Sequence, residues 1–255
     1  MLEWHVSRMV SPLYELGDNE LHVWRANLDL ADSTVEYLLQ LLSSDEIARA
    51  ARYHFAIDYK RFVAARAGLR IILGGYLTLH PRRIIFSYGP QGKPSLASSP
   101  NVTATLNFNL AHSGGLALFA VAYGMQIGID LEEIRAEFTE DNLAERFFST
   151  SEVAQLASLP AEMQPQGFFS CWTRKEAFLK AKGVGLSQAL DQFSVTVAHQ
   201  EPARLLETKW DQNEASRWSL ESIDLGPHLA AAVAVQGKPR RICWRELNYS
   251  SYRIP

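Results

Sequence analysis

The sequence predicts an α+β fold built from two similar lobes, each with helices packed on a small, mostly antiparallel sheet. Three observations lead there. The chain has 255 residues, 47% of them hydrophobic, enough for one large domain or two of about half that size. An apolar, strand-forming run and an alternating run flank a short break at the middle of the chain, which reads as a hairpin. The chain also echoes itself weakly: Leu42-Ser43-Ser44-Asp45-Glu46-Ile47-Ala48 is similar to Phe148-Ser149-Thr150-Ser151-Glu152-Val153-Ala154. Each copy precedes a longer helix and then an aromatic strand, Ile84 to Tyr88 in one half and Gln192 to Val197 in the other.

In the first half, Ser44 to Tyr53 and Tyr59 to Leu79 read as helices. They carry Arg49, Arg52, Arg61, Arg66 and Arg70 among apolar positions such as Phe62, Val63, Leu69 and Leu73. That is the pattern of an amphipathic helix with a solvated basic side. Tyr88 to Asn101 is a loop rich in proline, glycine and serine, and it holds Gly92-Lys93-Pro94, which alone reads as a surface turn.

The central hairpin pairs Leu116 to Tyr123 with Ile127 to Glu132 across Gly124, Met125 and Gln126. On its second strand Ile127, Ile129 and Leu131 point one way. Gly128, Asp130 and Glu132 point the other, because side chains alternate across a strand. Two carboxylates thus share a face, beside a glycine that leaves room for a ligand.

Ser149-x-x-Glu152 is a capping-box pattern that opens a helix, and Pro160 to Gln166 is a short loop. Gly167 to Lys182 reads as a helix with Phe168, Phe169, Trp172, Phe178 and Leu179 available for a buried stripe and Gly183 as its stop. Glu176 and Lys180 lie one turn apart on it, flanked by Lys175. Leu229 to Val235 is one more strand, and Ile242 to Glu246 a short closing one.

Composition excludes several functions. A net charge of −3 gives no bulk attraction to nucleic acid. Cys171 and Cys243 are too few for a disulfide scaffold. The sequence holds neither a signal segment nor a membrane-spanning run, so a cytoplasmic protein is expected.

Oxygen ligands favour a hard cation, and Mg²⁺ binds through a few carboxylates together with substrate phosphate oxygens. Asp130, Glu132 and Glu176 fit that description. Taken singly, each has a plainer reading: a solvated strand end, or a helical ion pair worth roughly 0.3–0.5 kcal/mol. The joint pattern is far more specific than its parts.

Gly128-Ile129-Asp130-Leu131-Glu132, then Trp172-Thr173-Arg174-Lys175-Glu176-Ala177-Phe178-Leu179-Lys180, then Gly183-x-Gly185-Leu186, resembles the signature of the 4'-phosphopantetheinyl transferases of the double-length, surfactin-synthetase-activating type. Three further segments agree. Gly92-Lys93-Pro94 is similar to an element whose lysine meets a coenzyme A phosphate. Phe108-Asn109-Leu110-Ala111-His112-Ser113 is similar to one whose histidine contacts phosphate, with Ala111 where the family usually has a serine that touches coenzyme A. Arg146-Phe147-Phe148-Ser149 with Glu152 is similar to an element between the metal motifs, in which Glu152 orders a water, accepts a proton or caps its helix.

The resemblance implies an N-terminal lobe, residues 1–124, with the coenzyme A phosphate contacts, and a C-terminal lobe, residues 125–255, with the metal site. They meet near Tyr123 to Gln126, with the active site in the cleft, so one chain completes the site as a monomer. Mg²⁺, with Mn²⁺ as an alternative, is expected on Asp130, Glu132 and Glu176. Lys175 or Lys180, Lys93 and His112 are expected to neutralise further phosphate charge, and Arg61 with one of Arg49 or Arg52 to reach the 3'-phosphate, since guanidinium binds oxygens bidentately. Glu152, Lys175 and Lys180 are the expected catalytic side chains. The implied partners are coenzyme A as substrate and an apo acyl or peptidyl carrier protein, which docks on Ile134 to Phe148 through Ile134, Phe138, Leu143 and Phe147 with Arg135 and Arg146 between them. Two alternatives stay open. One is another Mg²⁺-dependent phosphoryl-transfer enzyme, although no G-x-x-x-x-G-K-[ST] loop occurs. The other is a silent coenzyme A or carrier-binding module, although all three carboxylates are present.

Overall fold

The computed structural model describes residues 13–97, 105–135, 142–185 and 188–252. The first half contains β1 (Glu20–Asn27), α1 (Asp32–Leu39), α2 (Ser44–Ala50), α3 (Ala56–Leu77), β2 (Phe86–Tyr88), β3 (Pro94–Leu96), β4 (Leu106–Ser113) and β5 (Leu116–Tyr123). The second contains β6 (Ile127–Glu133), α4 (Leu143–Phe147), α5 (Thr150–Ser158), α6 (Gln164–Lys182), β7 (Phe193–Val195), β8 (Leu205–Thr208), β9 (Trp218–Ser222), β10 (Leu229–Gln236) and β11 (Arg241–Glu246).

Two sheets carry the fold, one ordered β11-β1-β5-β4 and the other β6-β10-β9, with β2-β3 and β7-β8 as separate pairs. Pairing is antiparallel except for β1 with β11. The period-two alternation of each strand decides the layering. Ala117, Phe119 and Val121 of β5 share a core with Val63, Leu69 and Ile72 of α3. Leu118, Ala120 and Ala122 face the other way and pack with Ile127, Ile129 and Leu131 of β6 and Val233 of β10. On the far side of the second sheet, Ala230, Ala232 and Ala234 meet Ala177, Phe178 and Ala181 of α6. The result is helix, sheet, sheet, helix, an α+β architecture in four layers.

The expected strands at Leu116–Tyr123 and Ile127–Glu132 both form, but they are not a hairpin. Both edges of β5 are occupied, by β1 on one side and β4 on the other. The chain therefore turns through Gly124, at φ +68°, and enters the second sheet, where β6 pairs with β10 in the register Asp130↔Ala232. Burial on both faces explains why β5 is an unbroken apolar run.

A cut at residue 124 does not separate the sheets. The expected closing strand at Ile242–Glu246 forms, yet it pairs with β1 of the first lobe. Leu247 and Tyr249 lie in the α3 core, where the Tyr249 hydroxyl donates to the Ala64 carbonyl at 2.9 Å.

The internal echo is structural. Ser43 and Ser149 each open a short helix with a capping box closed by Glu46 and Glu152. Each glutamate is buried and accepts from basic side chains of the next long helix: Glu46 from Arg66 and Arg70 of α3, Glu152 from Lys175 of α6. Arg66 and Arg70 are thus internal struts, not part of a solvated basic side. Burial pushes the Glu46 carboxyl up, but Arg66, the Ser43 amide and Arg70 outweigh it and hold it below the usual carboxylate range.

Candidate active site

Gly128 brings the two motif elements together. A Cβ there would lie 2.1 Å from the Ala177 carbonyl oxygen and 2.3 Å from the Ala181 nitrogen, so only glycine lets β6 lie directly on the α6 backbone. The room expected for a ligand beside Gly128 is filled by that helix. On the same face of β6, Asp130 and Glu132 then run alongside Glu176 and Lys180, which share one face of α6 by their i, i+4 spacing.

Lys180 Nζ donates to Asp130 Oδ1 at 2.5 Å. Asp130 is 3% exposed, and its Oδ2 has no hydrogen-bond partner. Loss of water raises the Asp130 carboxyl above its ordinary value despite Lys180. Glu132 and Glu176, both half-buried, are raised by burial and by the Asp130 charge. Mutual repulsion of this kind is what a bound cation relieves, and the unpartnered Asp130 oxygen is a ligand atom to spare, so this donor set fits a hard divalent ion. The three are not drawn into a closed ligand shell: among the described residues, the group of His, Cys, Asp and Glu ligand atoms within 4.8 Å of one another is a different one, Glu20, His22 and Cys243.

The first lobe brings a histidine close enough to feel Lys180. His112 is exposed on β4, and loss of water, then the Lys180 and Arg61 charges, hold its imidazole below the ordinary pKa. Arg61 lies on α3, where its Nε and Nη2 donate to the two Asp29 oxygens at 2.7 and 3.0 Å. Arg49 and Arg52 are exposed.

Both halves of the chain match known family descriptions. Residues 126–234 match the "4'-phosphopantetheinyl transferase superfamily", and residues 29–123 match "4'-phosphopantetheinyl transferase, N-terminal". The chain is 43% identical to the 4'-phosphopantetheinyl transferase HetI of Nostoc sp., over 89% of its own length and 92% of that protein. The chain belongs to the 4'-phosphopantetheinyl transferase superfamily. It is also 28% identical to the transferase Sfp of Bacillus subtilis, over 84% and 91% of the two chains. With the human L-aminoadipate-semialdehyde dehydrogenase-phosphopantetheinyl transferase the identity is 30%, over 80% and 71%. The chain is therefore a transferase of the Sfp type, whose chemistry is the transfer of phosphopantetheine to carrier proteins.

Several side chains expected in the transferase site lie elsewhere. Glu152 and Lys175 are each 0% exposed. Lys175 Nζ donates to both Glu152 oxygens and to the Phe193 carbonyl, each at 2.6 Å, and Glu152 also accepts from the amides of Ser149 and Val195. Neither reaches the cleft, because one residue along a helix turns a side chain about 100° and sends Lys175 into the core while Glu176 faces out. Lys93 is also committed. Its ammonium donates to the carbonyls of Ile127, Lys180 and Ala181 at 3.0, 2.5 and 3.1 Å, tying the β2–β3 turn to the start of β6 and the end of α6. Burial lowers its pKa to about 8. Ala111 is 5% exposed and packs against the second sheet, on the face of β4 opposite His112, so a hydroxyl there would point away from the cleft side.

The structure adds residues that the motifs did not single out. Alternate positions of β4 stitch the lobes together: Asn107 Nδ2 donates to the Met125 carbonyl, Asn109 Oδ1 accepts from the Ile129 amide and Ser113 Oγ from the Glu133 amide, at 2.9, 2.8 and 3.1 Å. These bonds fix the strand that carries Asp130 and Glu132. The period-two spacing of Asn107, Asn109 and Ser113 was the available signal.

Of the expected carrier-docking segment, Ile134, Leu143 and Phe147 pack against the second lobe's core, Phe147 edge-on to Trp172 at 5.7 Å. Arg146 covers the Phe147 ring, and Arg135 is exposed. Phe138 lies outside the described residues.

Proposed function

We propose that this transferase takes the 4'-phosphopantetheine group from coenzyme A and places it on a serine of an apo acyl or peptidyl carrier protein, releasing adenosine 3',5'-bisphosphate. The observation that carries this reading is the meeting of three carboxylates of raised pKa with Lys180 and His112 at the junction of two lobes of one chain. Asp130, Glu132 and Glu176 would hold Mg²⁺ or Mn²⁺, which when bound neutralises charge on the diphosphate. Lys180 supplies further positive charge to the phosphates, His112 offers a ring N–H as a hydrogen-bond donor, and Arg61 offers a guanidinium fork to the 3'-phosphate once Asp29 yields it. Phosphoryl transfer of this kind depends on positioning and charge stabilisation, which the β6–α6 contact and the β4 stitches provide.

A single chain supplies every group named, which favours a monomer. Among the described residues no helix is long and apolar enough to cross a membrane.

The test is incubation with coenzyme A, Mg²⁺ and a panel of apo carrier proteins, followed by the intact mass of each. Addition of one phosphopantetheine to a carrier serine is expected. Turnover of coenzyme A with every carrier unmodified would favour another Mg²⁺-dependent phosphoryl enzyme, and binding without turnover a silent module.

A further inference from the structure

A second cluster of ligand-bearing side chains lies in the first lobe, outside the carboxylate site. His22 stands opposite Cys243 in the parallel β1–β11 register, and Glu20 is two residues before His22, so all three project from one face of the sheet. One ligand atom from each falls within 4.8 Å of the other two, and His22 Nε2 is 3.6 Å from Glu20 Oε2. Around a tetrahedral zinc ion, ligand atoms stand about 3.5 Å apart, so small side-chain rotations close this set.

The surroundings fit a metal ligand set. His22 is 1% exposed, and its Nδ1 is 2.6 Å from the Tyr76 hydroxyl, which also accepts from Trp24 Nε1 at 2.9 Å. That bond fixes the ring with Nε2 toward Glu20, as an outer partner fixes a ligating histidine. Arg241 and Arg245 project from the same face as Cys243 and act on Glu20 and His22. They would oppose a bare cation, but Arg241 is among the groups that hold the Glu20 carboxyl below its ordinary value and so in its ligating form. Thiolate, carboxylate and neutral imidazole together balance a divalent charge, and the sulfur and nitrogen donors select zinc over magnesium.

We propose that Glu20, His22 and Cys243 form a zinc-class metal site that pins the C-terminal strand to β1. The chain returns to its first lobe through β11, an edge strand, so a metal at this seam links the two ends of the described chain. A water or small anion completes the fourth position.

Cobalt is the probe, because only a thiolate ligand gives a sulfur-to-cobalt charge-transfer band. Cys171 is fully buried in the second lobe, and the Asp130 site has no sulfur, so the band reports Cys243 independently of transferase activity. Titration of the full-length protein with Co²⁺, in excess Mg²⁺ to fill the carboxylate site, should raise the band to saturation, with zinc displacing it, and zinc should slow alkylation of Cys243. Cys243→Ser should abolish the band. Tyr76→Phe, which removes the outer partner of His22, should weaken binding by about 10- to 100-fold. Absence of the band in the unmodified protein, or equally fast alkylation with and without zinc, overturns the site. So does affinity unchanged by both Glu20→Gln and Tyr76→Phe, which would leave only a thiol adduct.

Discussion

Glu152 and Lys175 form an ion pair with no solvent exposure, and Glu46 with Arg70 is its counterpart in the other lobe. In both places a capping-box glutamate is drawn under its short helix and held by a cation about three to four turns into the next long helix. Two copies of one device, only one of them in the lobe with the metal motifs, argue that the device serves the fold. A catalytic base at Glu152 would need a free oxygen, and both are taken by Lys175 and backbone amides.

Removing one partner of that pair should therefore act on stability. Glu152→Ala or Lys175→Ala leaves an uncompensated buried charge and should each cost about 3–5 kcal/mol of unfolding free energy. The double variant Glu152→Leu/Lys175→Met should recover much of that loss, as hydrophobic replacements of buried pairs do. Urea unfolding of all four proteins gives each stability, and the folded fraction of each should turn over at near wild-type kcat. A double variant that folds well but is inactive would restore a chemical role to the pair.

Gly128→Ala tests the β6–α6 contact. The atoms facing a new methyl are backbone, which cannot rotate away, so strand and helix must separate. Overpacking costs typically about 1–3 kcal/mol, and here it also shifts Asp130 and Glu132 away from Glu176. A lower Tm together with a weaker dependence of activity on Mg²⁺ is expected. Loss of stability at unchanged metal affinity would mean that the contact is not what aligns the carboxylates.

Much of this was legible in the sequence, and what was not has a physical cause. The alternation of Ile127, Ile129 and Leu131 against Asp130 and Glu132 placed both carboxylates on one face, and the Ser149-x-x-Glu152 capping box placed the start of α5. The hairpin was misread because local pattern cannot show that β4 and β1 fill both edges of β5 while β10, far along the chain, takes β6. Strand β1 was not foreseen, since Leu21, His22, Val23 and Trp24 are all buried and alternate in nothing. Adjacent helical side chains point about 100° apart, but which of Lys175 and Glu176 turns inward is decided by the buried Glu152, which lies outside α6's own pattern.

Lys93→Ala separates a structural lysine from a phosphate ligand. Because all three ammonium hydrogens are bonded to carbonyls of β6 and α6, the loss should lower Tm and raise the Michaelis constant for coenzyme A modestly. The preference for coenzyme A over its 3'-dephospho form should stay unchanged. A preference that falls with this substitution would show that Lys93 turns to the 3'-phosphate when substrate binds.

Carrier docking is tested at Arg135, which is exposed just past the metal-site strand while the neighbouring Ile134 packs into the lobe. The family resemblance implies a carrier protein that is acidic around its modified serine, and charge complementarity acts mainly on association rate. Arg135→Glu should raise the Michaelis constant for the carrier, more so at low ionic strength, and leave that for coenzyme A unchanged. If both constants rise together, or neither does, docking is elsewhere.

The carboxylates make the last prediction one of opposite signs. Asp130, Glu132 and Glu176 have raised pKa values in the folded protein, chiefly from burial and then from one another. Between the ordinary carboxyl pKa and the raised one, the folded protein binds more protons than the unfolded chain, so these groups make stability fall as the pH rises through that window. Above the raised pKa values their repulsion is fully present. Asp130→Asn removes one charge, and Lys180 still acts on Glu132 and Glu176, so the variant should unfold at a higher temperature than wild type while losing transfer activity. The difference in Tm should shrink as the pH is lowered toward the carboxyl range. Mg²⁺ should raise the Tm of wild type and not of Asp130→Asn, because a cation stabilises only the state that holds it. An Asp130→Asn protein less stable than wild type at neutral pH would mean that the Lys180 bond outweighs the burial of Asp130, and the argument for a strained, cation-seeking cluster would fail.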